Sequence, residues 1–554
     1  MKILLIPSAI LMPKEMSNIL GDLPAVLFPL GDTPMISGIY EQYKNYVDEI
    51  YIVAFQKKDK IQEYINSKLL PVKIIELDEL KDLGYTIHYG LQKIFEEHSS
   101  IDYLYINFAD SLLNEPLTQT ASNFAYFAEM DLNEQWTYFK ECGGYLTDIL
   151  DKGNFENNGK PDKTFKNIFV GVFGISDARK FFYCFDSDTV ESSTDSFYRA
   201  FQKYAVDEKI KFLSANNWID VGHYEKYVKA QTKVATRYFN FIEIDDMRGV
   251  LKKSSQNKEK LINEIRWYLK IPKQLQYLLP RIYDYSLDFE SPYVKMEFYG
   301  YRTMHEFLLY GELPDSMWRE IFSKLLFAFK DMQTYRINGR TSEINAAVKE
   351  MYVEKTLKRF STLRKDTRFN IFFTQNIKVN GKQCHSLNEI ENFLPELVQR
   401  LLVDDAEKFF SIIHGDLCFP NILIEETYKF IRLVDPRGKF GAFDIYGDSR
   451  YDLAKLLHTL EGKYDCIIED MFSVESNAAQ IDYKILMDYS KANRIFWEIF
   501  GELFENQLQA IRLIESTLFL SMIPLHSNSF TRQLVMLATG VELFETVLQN
   551  MKKG

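Results

Sequence analysis

Residues 414–423 read HGDLCFPNIL, and the apolar run IRLVD follows at 431–435. Transfer of a phosphoryl group needs a carboxylate that orients or deprotonates the attacking hydroxyl, oxygen ligands for Mg²⁺ and a cation on the ATP phosphates. The loop supplies an Asp and an Asn, and the strand after it ends in a second Asp. We therefore predict Asp416 as the catalytic base and Asn421 and Asp435 as Mg²⁺ ligands, because oxygen donors suit that ion.

The elements around this motif favour a second domain that starts near residue 236. YFNFIEID and VLKKS flank a turn and predict an antiparallel hairpin, which the helical pattern NKEKLINEIRWYLK follows. Two more strands are predicted in RIYDYSLDFESPYVKMEFY, and a small hairpin at 376–386, where Asn-Gly favours a tight turn. Apart from the motif itself, the pattern after residue 311 is predominantly helical to the C-terminus.

HGDxxxxN followed by an apolar strand that ends in Asp resembles the aminoglycoside phosphotransferase/choline kinase superfamily, which has the protein-kinase-like fold. The resemblance covers residues 236–554. It implies an α+β domain with a small β-rich N-lobe and hinge at 236–310 and a helical C-lobe at 311–554.

The resemblance also implies roles for residues outside the motif. VLKK supplies the lysine for the ATP phosphates, Lys253 by strand alternation and Lys252 as the alternative, with Glu264 as the expected ion-pair partner. YVKMEFYG stands where the family has the hinge that meets the adenine, which points to Glu297. In YDLAKL, Asp452 is expected to brace the catalytic loop.

The segment after Asp435 departs from choline kinases. It reads PRG where those enzymes tend to carry an acidic residue. Arg437 would repel a quaternary ammonium, whereas it could bind a carboxylate, a phosphate or sugar oxygens. An internal salt bridge with Asp444 or Asp448 is the alternative, and both interpretations stay open. His414 is expected to brace the loop by a hydrogen bond.

The first third of the chain alternates short apolar runs with helical patterns. KILLIP, EIYIVAF and VKIIEL predict strands separated by the helices ISGIYEQYKNYV and KDKIQEYINSKL. The helix YTIHYGLQKIFEEH and the buried strand DYLYINFAD follow. This order predicts βαβ units and a Rossmann-like, mainly parallel sheet in an α/β domain over residues 1–232.

The segments KILLIPSA, PAVLFPLGDTPMISGIYEQY, LGYTIHYGL, YINFADSLL and WIDVGHYEKYVKA resemble the nucleotidyltransferase (GT-A-like) family. That family joins a nucleoside monophosphate to a sugar-1-phosphate or phosphocholine. The resemblance implies that Asp110 and Asp220 bind Mg²⁺, and two carboxylates on one ion would neutralise the α-phosphate and the developing pyrophosphate charge. It also implies nucleotide contacts at Ser8 and Gly84.

The opening loop departs from this family. The stretch PSAILMPKEMSNILGDLP is poor in glycine, and Leu23 stands at the usual lysine position before Pro24. Glycine in such a loop lets backbone N–H groups approach phosphates. Lys14 is the cation left in the loop and a candidate to replace that lysine in nucleotide binding. Lys152 is a candidate for holding the acceptor phosphate, with a solvent-exposed turn lysine as the alternative.

Composition and charge disfavour several other classes of protein. With 66 Lys and Arg against 78 Asp and Glu, the formal charge of −12 argues against a broad basic face for nucleic acid. Five dispersed cysteines suggest neither a disulfide framework nor a zinc site. MKILLIP is typical of a first strand rather than a signal peptide, and no run approaches the about eighteen apolar residues of a membrane span. We therefore expect a cytoplasmic enzyme without membrane insertion.

Together the two resemblances predict a bifunctional, Mg²⁺-dependent enzyme. One half would phosphorylate a small alcohol or sugar with ATP, and the other would couple the ester to a nucleoside monophosphate from CTP or UTP. Such a product is an activated donor for bacterial capsule or lipopolysaccharide. The alternative is an active kinase whose degenerate N-terminal domain binds a nucleotide or a partner. A scaffold with two inactive domains is disfavoured by the retained acidic residues, and the acceptor and oligomeric state stay open.

Overall fold

A computed structural model describes residues 1–31, 33–117, 122–129, 136–150, 167–185, 195–223, 226–227, 240–245 and 247–553. The chain divides into two units, Met1–Val234 and Ala235–Gly554, each with its own set of internal contacts.

The first unit is an α/β structure built on one large sheet. Its strands are β1 (Lys2–Ser8), β2 (Pro29–Leu30), β3 (Thr33–Pro34), β4 (Glu49–Ala54), β5 (Val72–Glu76), β6 (Tyr103–Asn107), β7 (Ser111–Leu113), β8 (Phe124–Glu129), β9 (Tyr138–Cys142), β10 (Tyr145–Leu150), β11 (Asn167–Ile175), β12 (Lys211–Ser214) and β13 (Trp218–Asp220). Its helices are Lys14–Leu20, Met35–Tyr43, Lys58–Ser67, Leu83–Glu97, Ala178–Phe182 and Ser196–Asp207, with a 3-10 turn at Ala25–Leu27. Among the described strands, the large sheet has the order β5-β4-β1-β6-β11-β8-β12-β10-β9.

The sheet is parallel only in part, so the prediction of a mainly parallel sheet is wrong for its second half. β5, β4, β1 and β6 are parallel neighbours, and β8 and β12 form a further parallel pair. β11 runs antiparallel to β6 and β8, and β9 and β10 form a hairpin through Gly143 and Gly144, both with positive φ. A two-residue turn can join only antiparallel strands, whereas each parallel step of the first half contains a helix.

The predicted strands and helices up to residue 110 are confirmed, with ends shifted by a few residues. β6 is buried along its whole length, and β1 is buried from its second residue onward. Continuous burial of this kind is typical of parallel strands that are covered on both faces. The core of the unit therefore lies along these central strands.

The N-termini of the helices Leu83–Glu97 and Ser196–Asp207 meet at Gly84. Asp195 accepts hydrogen bonds from the backbone N–H groups of Gly84 at 3.2 Å and Phe197 at 2.8 Å. A Cβ added at Gly84 would collide with side-chain and backbone atoms in the first turn of the other helix. This packing by itself explains why residue 84 is a glycine, and no ligand is needed for the explanation. A role of Gly84 in nucleotide binding stays a prediction.

Gly84→Ala should destabilise the first unit. Because the added methyl meets backbone as well as a side chain, we expect the free energy of unfolding to fall by about 1–3 kcal/mol. Hydrogen exchange in peptides from 83–97, followed against urea concentration, measures the change. Gly501→Ala in the second unit is the negative control, since a Cβ at Gly501 meets nothing within 4 Å. Equal effects of the two substitutions would contradict the packing role.

The second unit begins with a small antiparallel sheet. Its strands are β14 (Asn240–Asp245), β15 (Val250–Ser255), β16 (Ile282–Ser286) and β17 (Tyr293–Glu297), which pair in the order β14-β15-β17-β16. The helix Lys258–Lys270 follows β15. Both predicted strand pairs and the helix between them are confirmed.

The rest of the second unit is mainly helical. Its strands are β18 (Arg302–Thr303), β19 (Ile377–Val379), β20 (Lys382–Cys384), β21 (Phe410–Ile412), β22 (Ile422–Ile424), β23 (Ile431–Leu433), β24 (Tyr446–Asp448), β25 (Phe472–Asn477) and β26 (Gln480–Ile485). Its α-helices are Met304–Leu309, Asp315–Gln333, Thr341–Lys349, Lys355–Leu363, Asn370–Thr374, Leu387–Val398, Ala406–Phe409, Ser449–Leu460, Tyr464–Ile468, Ser490–Phe504, Leu508–Met522 and Phe530–Lys553. π-helical turns lie at Glu350–Glu354 and Gln399–Val403, and 3-10 turns at Lys273–Leu278, Thr367–Phe369, Phe419–Asn421 and Ile523–His526.

Two expectations for this part need correction. β18 pairs with β22, so residues from 302 onward already belong with the helical part, and the β-rich part ends near Glu297 rather than at residue 310. The stretch 472–485 was expected to be helical but forms the β25–β26 hairpin, which continues the predicted β19–β20 hairpin. FSVESN and QIDYKI alternate apolar and polar residues, which is the period of a strand.

One helix in the described chain, Leu508–His526, is long and apolar enough to cross a membrane, with a mean hydropathy of 1.3. In the structure, 67% of this segment is buried. It packs against the helices Ser449–Leu460 and Phe530–Lys553. Its burial is that of a core helix of this unit.

Candidate active sites

Ser8 and Asp110 follow neighbouring parallel strands of the first unit. β1 has β4 on one side and β6 on the other, so the direction of winding reverses between β1 and β6. In open α/β sheets, ligands bind beyond the carboxyl ends of the strands at such a reversal. Ser8 ends β1, and its buried Oγ has no hydrogen-bond partner within the described part of the chain. This hydroxyl is therefore placed to bind a polar ligand.

Asn107 braces the turn that carries Asp110. Its side-chain amide donates to the backbone oxygens of Phe108 and Ser111, both at 2.8 Å. Its Oδ1 accepts a hydrogen bond from Tyr43 Oη at 3.1 Å. Asn107 is fully buried, and a satisfied buried network of this kind fixes a single local geometry.

Strand β13 brings Asp220 beside Asp110. β13 pairs with β7 so that Asp220 lies opposite Ser111, and the backbone N–H of Val221 donates to the Asp110 carbonyl at 2.9 Å. Both carboxylates face Gly222. A Cβ built on Gly222 would lie 2.7 Å from Asp110 Oδ2 and 3.2 Å from Asp220 Oδ1. The two carboxylates therefore converge on one small space that only a glycine leaves open.

The chemistry of these two side chains suits a magnesium ion. Mg²⁺ takes oxygen ligands and is usually held by one or two carboxylates together with nucleotide phosphates. Asp220 is only 4% exposed, and it accepts a hydrogen bond from the Gly222 N–H at 2.8 Å. His223 Nδ1 lies 2.7 Å from the other Asp220 oxygen, and this contact fixes the orientation of the carboxylate.

The opening loop brings little positive charge. Lys14 is exposed at the start of the helix Lys14–Leu20. Leu23 is fully buried, and its carbonyl accepts a hydrogen bond from the Met12 N–H at 2.8 Å. The position where the family carries a lysine is thus part of the core. Lys152 lies outside the described residues.

Lys253 is the centre of a charge cluster in the second unit. It is 5% exposed, and its Nζ lies 2.9 Å from both Glu264 oxygens and 2.7 Å from Asp435 Oδ1. Burial by itself lowers the pKa of Lys253, but the two carboxylates outweigh it and raise the pKa above its ordinary value. Lys252 points to the opposite side of β15, where it pairs with Glu243 at 3.2 Å.

Asp452 holds the loop that carries Asp416. Its fully buried carboxylate accepts hydrogen bonds from the backbone N–H groups of His414 and Gly415, both at 2.8 Å. The predicted brace is therefore confirmed. Burial raises the pKa of Asp452 to about 7, although these two hydrogen bonds act in the opposite direction.

His414 does not brace the loop through its ring, contrary to the prediction. Neither ring nitrogen has a hydrogen-bond partner among the residues that the structure describes. The ring instead lies edge to face with Trp267 at 5.7 Å between centroids, and Trp267 Nε1 donates to the Ile413 carbonyl at 2.8 Å. Burial lowers the pKa of His414 to about 4, so the neutral imidazole packs as an aromatic ring.

Asn421 and Asp435 offer oxygen ligands next to the loop. Asn421 Nδ2 donates to the backbone oxygen of Asp416 at 2.9 Å, which leaves its Oδ1 for a cation. Asp435 has a φ of 58°, and its N–H donates to Tyr268 Oη at 3.1 Å. A positive φ at a non-glycine residue costs free energy and is enriched at functional sites. A tethered amide oxygen and a carboxylate fit the ligand preference of Mg²⁺.

Lys455 forms an ion pair that the sequence analysis missed. Its Nζ lies 2.9 Å from Asp416 Oδ1. Burial by itself raises the pKa of Asp416, but Lys455, with Lys260 and Arg437, outweighs it and holds the pKa well below its usual range. Lys455 follows Asp452 by three positions, so both side chains share one face of the helix. That spacing is the signal that could have identified it.

Arg437 forms no salt bridge with Asp444 or Asp448, so that alternative is wrong. Each of these carboxylates is paired with another cation. The Arg437 guanidinium instead donates from Nη1 to Tyr451 Oη at 3.0 Å. Arg437 therefore forms no ion pair with a carboxylate of the described chain, although its charge lowers the pKa of Asp416.

Glu297 ends β17 at the predicted hinge. Its backbone N–H donates to the Arg281 carbonyl at 2.8 Å, and the Phe298 N–H donates to the Gly249 carbonyl at 2.9 Å. The Glu297 carboxylate accepts a hydrogen bond from Tyr299 Oη at 2.5 Å. These backbone donors are used within the small sheet, and an adenine contact at Glu297 stays a prediction.

Comparison with known proteins finds solved structures that are similar to the N-terminal part of the chain. No protein-family model and no curated protein matches the sequence. The match to the inositol-1-phosphate CTP transferase from T. maritima covers 43% of this chain and 98% of that protein, with 15% sequence identity and a TM-score of 0.33. The match to the CTP:phosphocholine cytidylyltransferase from Streptococcus pneumoniae covers 42% of this chain and 99% of that protein, with 16% sequence identity and a TM-score of 0.34. A nucleoside-diphosphate-sugar pyrophosphorylase from Vibrio cholerae RC9 has 10% identity over 41% of this chain and 99% of its own, with a TM-score of 0.34.

Gly222→Ala should weaken divalent-cation binding by the first unit. The added Cβ would lie 2.7 Å from Asp110 Oδ2, so the carboxylates have to separate. We expect an affinity loss of about tenfold or more, equivalent to about 1.4 kcal/mol. Titration with Mn²⁺ by electron paramagnetic resonance measures it, in an Asp435→Asn background that removes a carboxylate of the second candidate site. Unchanged affinity, equal to that of Gly501→Ala, would contradict the predicted metal site.

Proposed function

We propose that this protein is a bifunctional enzyme. The second unit phosphorylates a small alcohol or sugar with ATP, and the first couples the resulting ester to a nucleoside monophosphate. The observation that carries the kinase half is the Asp416–Lys455 ion pair, on a loop that Asp452 braces beside Asn421 and Asp435. This is the constellation that phosphoryl transfer requires: a base, oxygen ligands for a metal ion and nearby cations.

In the kinase reaction, Asp416 accepts the proton of the acceptor hydroxyl as the hydroxyl oxygen bonds to the γ-phosphorus of ATP. The bond from that phosphorus to the bridging oxygen breaks, and ADP leaves. Lys455 keeps Asp416 ionised and therefore able to accept the proton. Lys253 supplies positive charge to the ATP phosphates. Mg²⁺, held by Asn421 and Asp435, would neutralise the charge that develops between the phosphates.

In the nucleotidyltransferase reaction, an oxygen of the phosphate ester bonds to the α-phosphorus of CTP or UTP, and pyrophosphate leaves. Asp110 and Asp220 would hold the Mg²⁺ that neutralises the α-phosphate and the leaving group. The support for this half is the convergence of both carboxylates on the space at Gly222. Ser8 would offer its unpaired hydroxyl to the nucleotide at the strand edge.

A second candidate is an active kinase with a degenerate first unit that binds a nucleotide or a partner. One observation favours it: Leu23 is buried where the resembling family has a lysine, and Lys14 is the cation left in the loop. Loss of a cation at the triphosphate would slow transfer more than it would weaken binding, because charge develops in the transition state.

The two proposed reactions form a sequence, since the phosphate ester made by the second unit is the substrate of the first. The final product would be an activated donor for capsule or lipopolysaccharide, made in the cytoplasm where ATP and CTP or UTP are present. Soluble small molecules are then the partners, in keeping with the net charge of −12.

Asp416→Ala should reduce acceptor-dependent ADP release by about 10²–10⁴-fold, because it removes the general base. Stabilisation of the fold by Mg·ATP should persist, since Lys253 and Asp435 remain. The assay incubates a panel of alcohols and sugars with ATP, and then adds CTP or UTP and follows pyrophosphate.

Asp110→Ala is the reciprocal variant in the same assay. It should retain ADP release and lose pyrophosphate release when the phosphorylated acceptor is supplied. ADP release without pyrophosphate from any nucleoside triphosphate in the wild type would favour the second candidate. Full turnover of Asp416→Ala would disprove the kinase site.

A further inference from the structure

We infer that the acceptor alcohol carries a carboxylate or phosphate group, which Lys355 and Arg437 bind beside Tyr451. This acceptor class rests on the kinase activity proposed above. Sequence patterns did not reveal Lys355, because it lies about 60 residues before Asp416 on a separate helix.

Two cations lie over the same aromatic ring. The Arg437 guanidinium carbon is 5.7 Å from the Tyr451 ring centroid, and Lys355 Nζ is 5.9 Å from it. Arg437 Nη1 also donates to Tyr451 Oη at 3.0 Å. Tyr451 begins YDLAKL on the helix that also carries Asp452 and Lys455. The ring that both cations contact therefore belongs to the same helix as Asp452, which holds the catalytic loop, and Lys455, which pairs with Asp416.

A π-helical turn positions Lys355. The helix Thr341–Lys349 continues through the π turn Glu350–Glu354 into Lys355–Leu363. Within the turn, Tyr352 stacks on Tyr451 with centroids 6.2 Å apart. π turns are rare, cost helix regularity and are frequently found at functional sites. Here the turn fixes the segment immediately before Lys355 against the ring that both cations share.

Within the described chain, neither Lys355 nor Arg437 has an ion-pair partner of its own, and the carboxylate whose charge reaches both of them is Asp416. Asp416 is itself paired with Lys455. Burial lowers the pKa of Lys355 well below its ordinary value, and Arg437, Lys455 and Arg359 lower it further, whereas Asp416 acts in the opposite direction. Three cations thus outweigh one carboxylate around Lys355, so an anionic ligand would relieve an unfavourable excess of positive charge.

The cluster suits the acceptor better than it suits ATP. The cation proposed for the ATP phosphates is Lys253, which lies on β15 of the β-rich part. Lys355, Arg437 and Tyr451 all come from the helical part, around the loop of the proposed base Asp416. A guanidinium and an ammonium bind carboxylate or phosphate oxygens by charge-assisted hydrogen bonds, whereas they repel a quaternary ammonium.

A matched set of acceptors tests this inference. Glycerol, D-glycerate and sn-glycerol 3-phosphate share one carbon skeleton and differ in charge, and choline is the cationic comparison. We expect kcat/KM for glycerate or glycerol 3-phosphate to exceed that for glycerol by about tenfold or more, and choline to be the poorest acceptor. The two anions distinguish a carboxylate site from a phosphate site. Higher kcat/KM for choline than for either anion would overturn the inference.

Lys355→Gln and Arg437→Gln give the residue-specific readout. Each should raise KM for the anionic acceptor by about tenfold or more, with KM for ATP and for glycerol within about twofold of wild type. Lys358→Gln is the matched control, because Lys358 is exposed on the same helix. Equal loss for glycerol and the anion, or no loss for either, would show that these cations do not bind the charged group.

A binding experiment separates this inference from the proposed activity. Thermal stability of the full chain is measured with Mg·ATP, and separately with inorganic phosphate, glycerate and glycerol 3-phosphate. If an anion stabilises the wild type and Lys355→Gln abolishes that stabilisation, the anionic site is supported. This holds even if Mg·ATP has no effect, a result that would count against the kinase activity alone. Stabilisation by Mg·ATP with no response to any of these anions would keep the kinase and overturn the anionic acceptor.

Discussion

The site in the second unit depends on the pairing of buried charge. An ion taken out of water without a partner costs on the order of several kcal/mol, so each buried charge needs a counterion or a set of hydrogen bonds. Lys253 has Glu264 and Asp435, and Asp416 has Lys455. These pairs join residues that are distant in sequence. The loop geometry therefore follows from the requirement for neutrality as well as from apolar packing.

Short-range patterns predicted the parts of this site that lie on one segment. Strand alternation distinguished Lys253 from Lys252, and the motif spacing located Asp416 and Asn421 on a single loop. The partner Lys455 was missed, because its spacing from Asp452 places it on the same face of the helix but does not identify Asp416 as the carboxylate with which it pairs. The same limit explains why the alternative of a salt bridge at Arg437 is wrong, since Asp444 and Asp448 are each paired with another cation.

In the first unit, the sequence predicted the helix-linked parallel strands well and the rest of the sheet poorly. A helical pattern between two apolar runs is a strong signal for a parallel step, and it is present up to residue 110. Beyond that point, hairpins and long connections set strand order, and pairing partners cannot be read from local composition. Gly222 shows the same limit at a single residue. Its importance depends on two carboxylates that arrive from different strands.

The contact between Lys253 and Asp435 has a thermodynamic consequence. The lysine already has its counterions within the chain, and one of them is the carboxylate proposed to bind the metal. In the proposed reaction, a metal ion at Asp435 competes with Lys253 for that carboxylate, and a phosphate at Lys253 competes with Asp435 for the ammonium. A metal ion would thus free Lys253 for the phosphate, and a phosphate would free Asp435 for the metal ion. If the proposed site binds both, binding of metal and nucleotide would be coupled with positive sign, and by linkage the coupling would be the same in both directions.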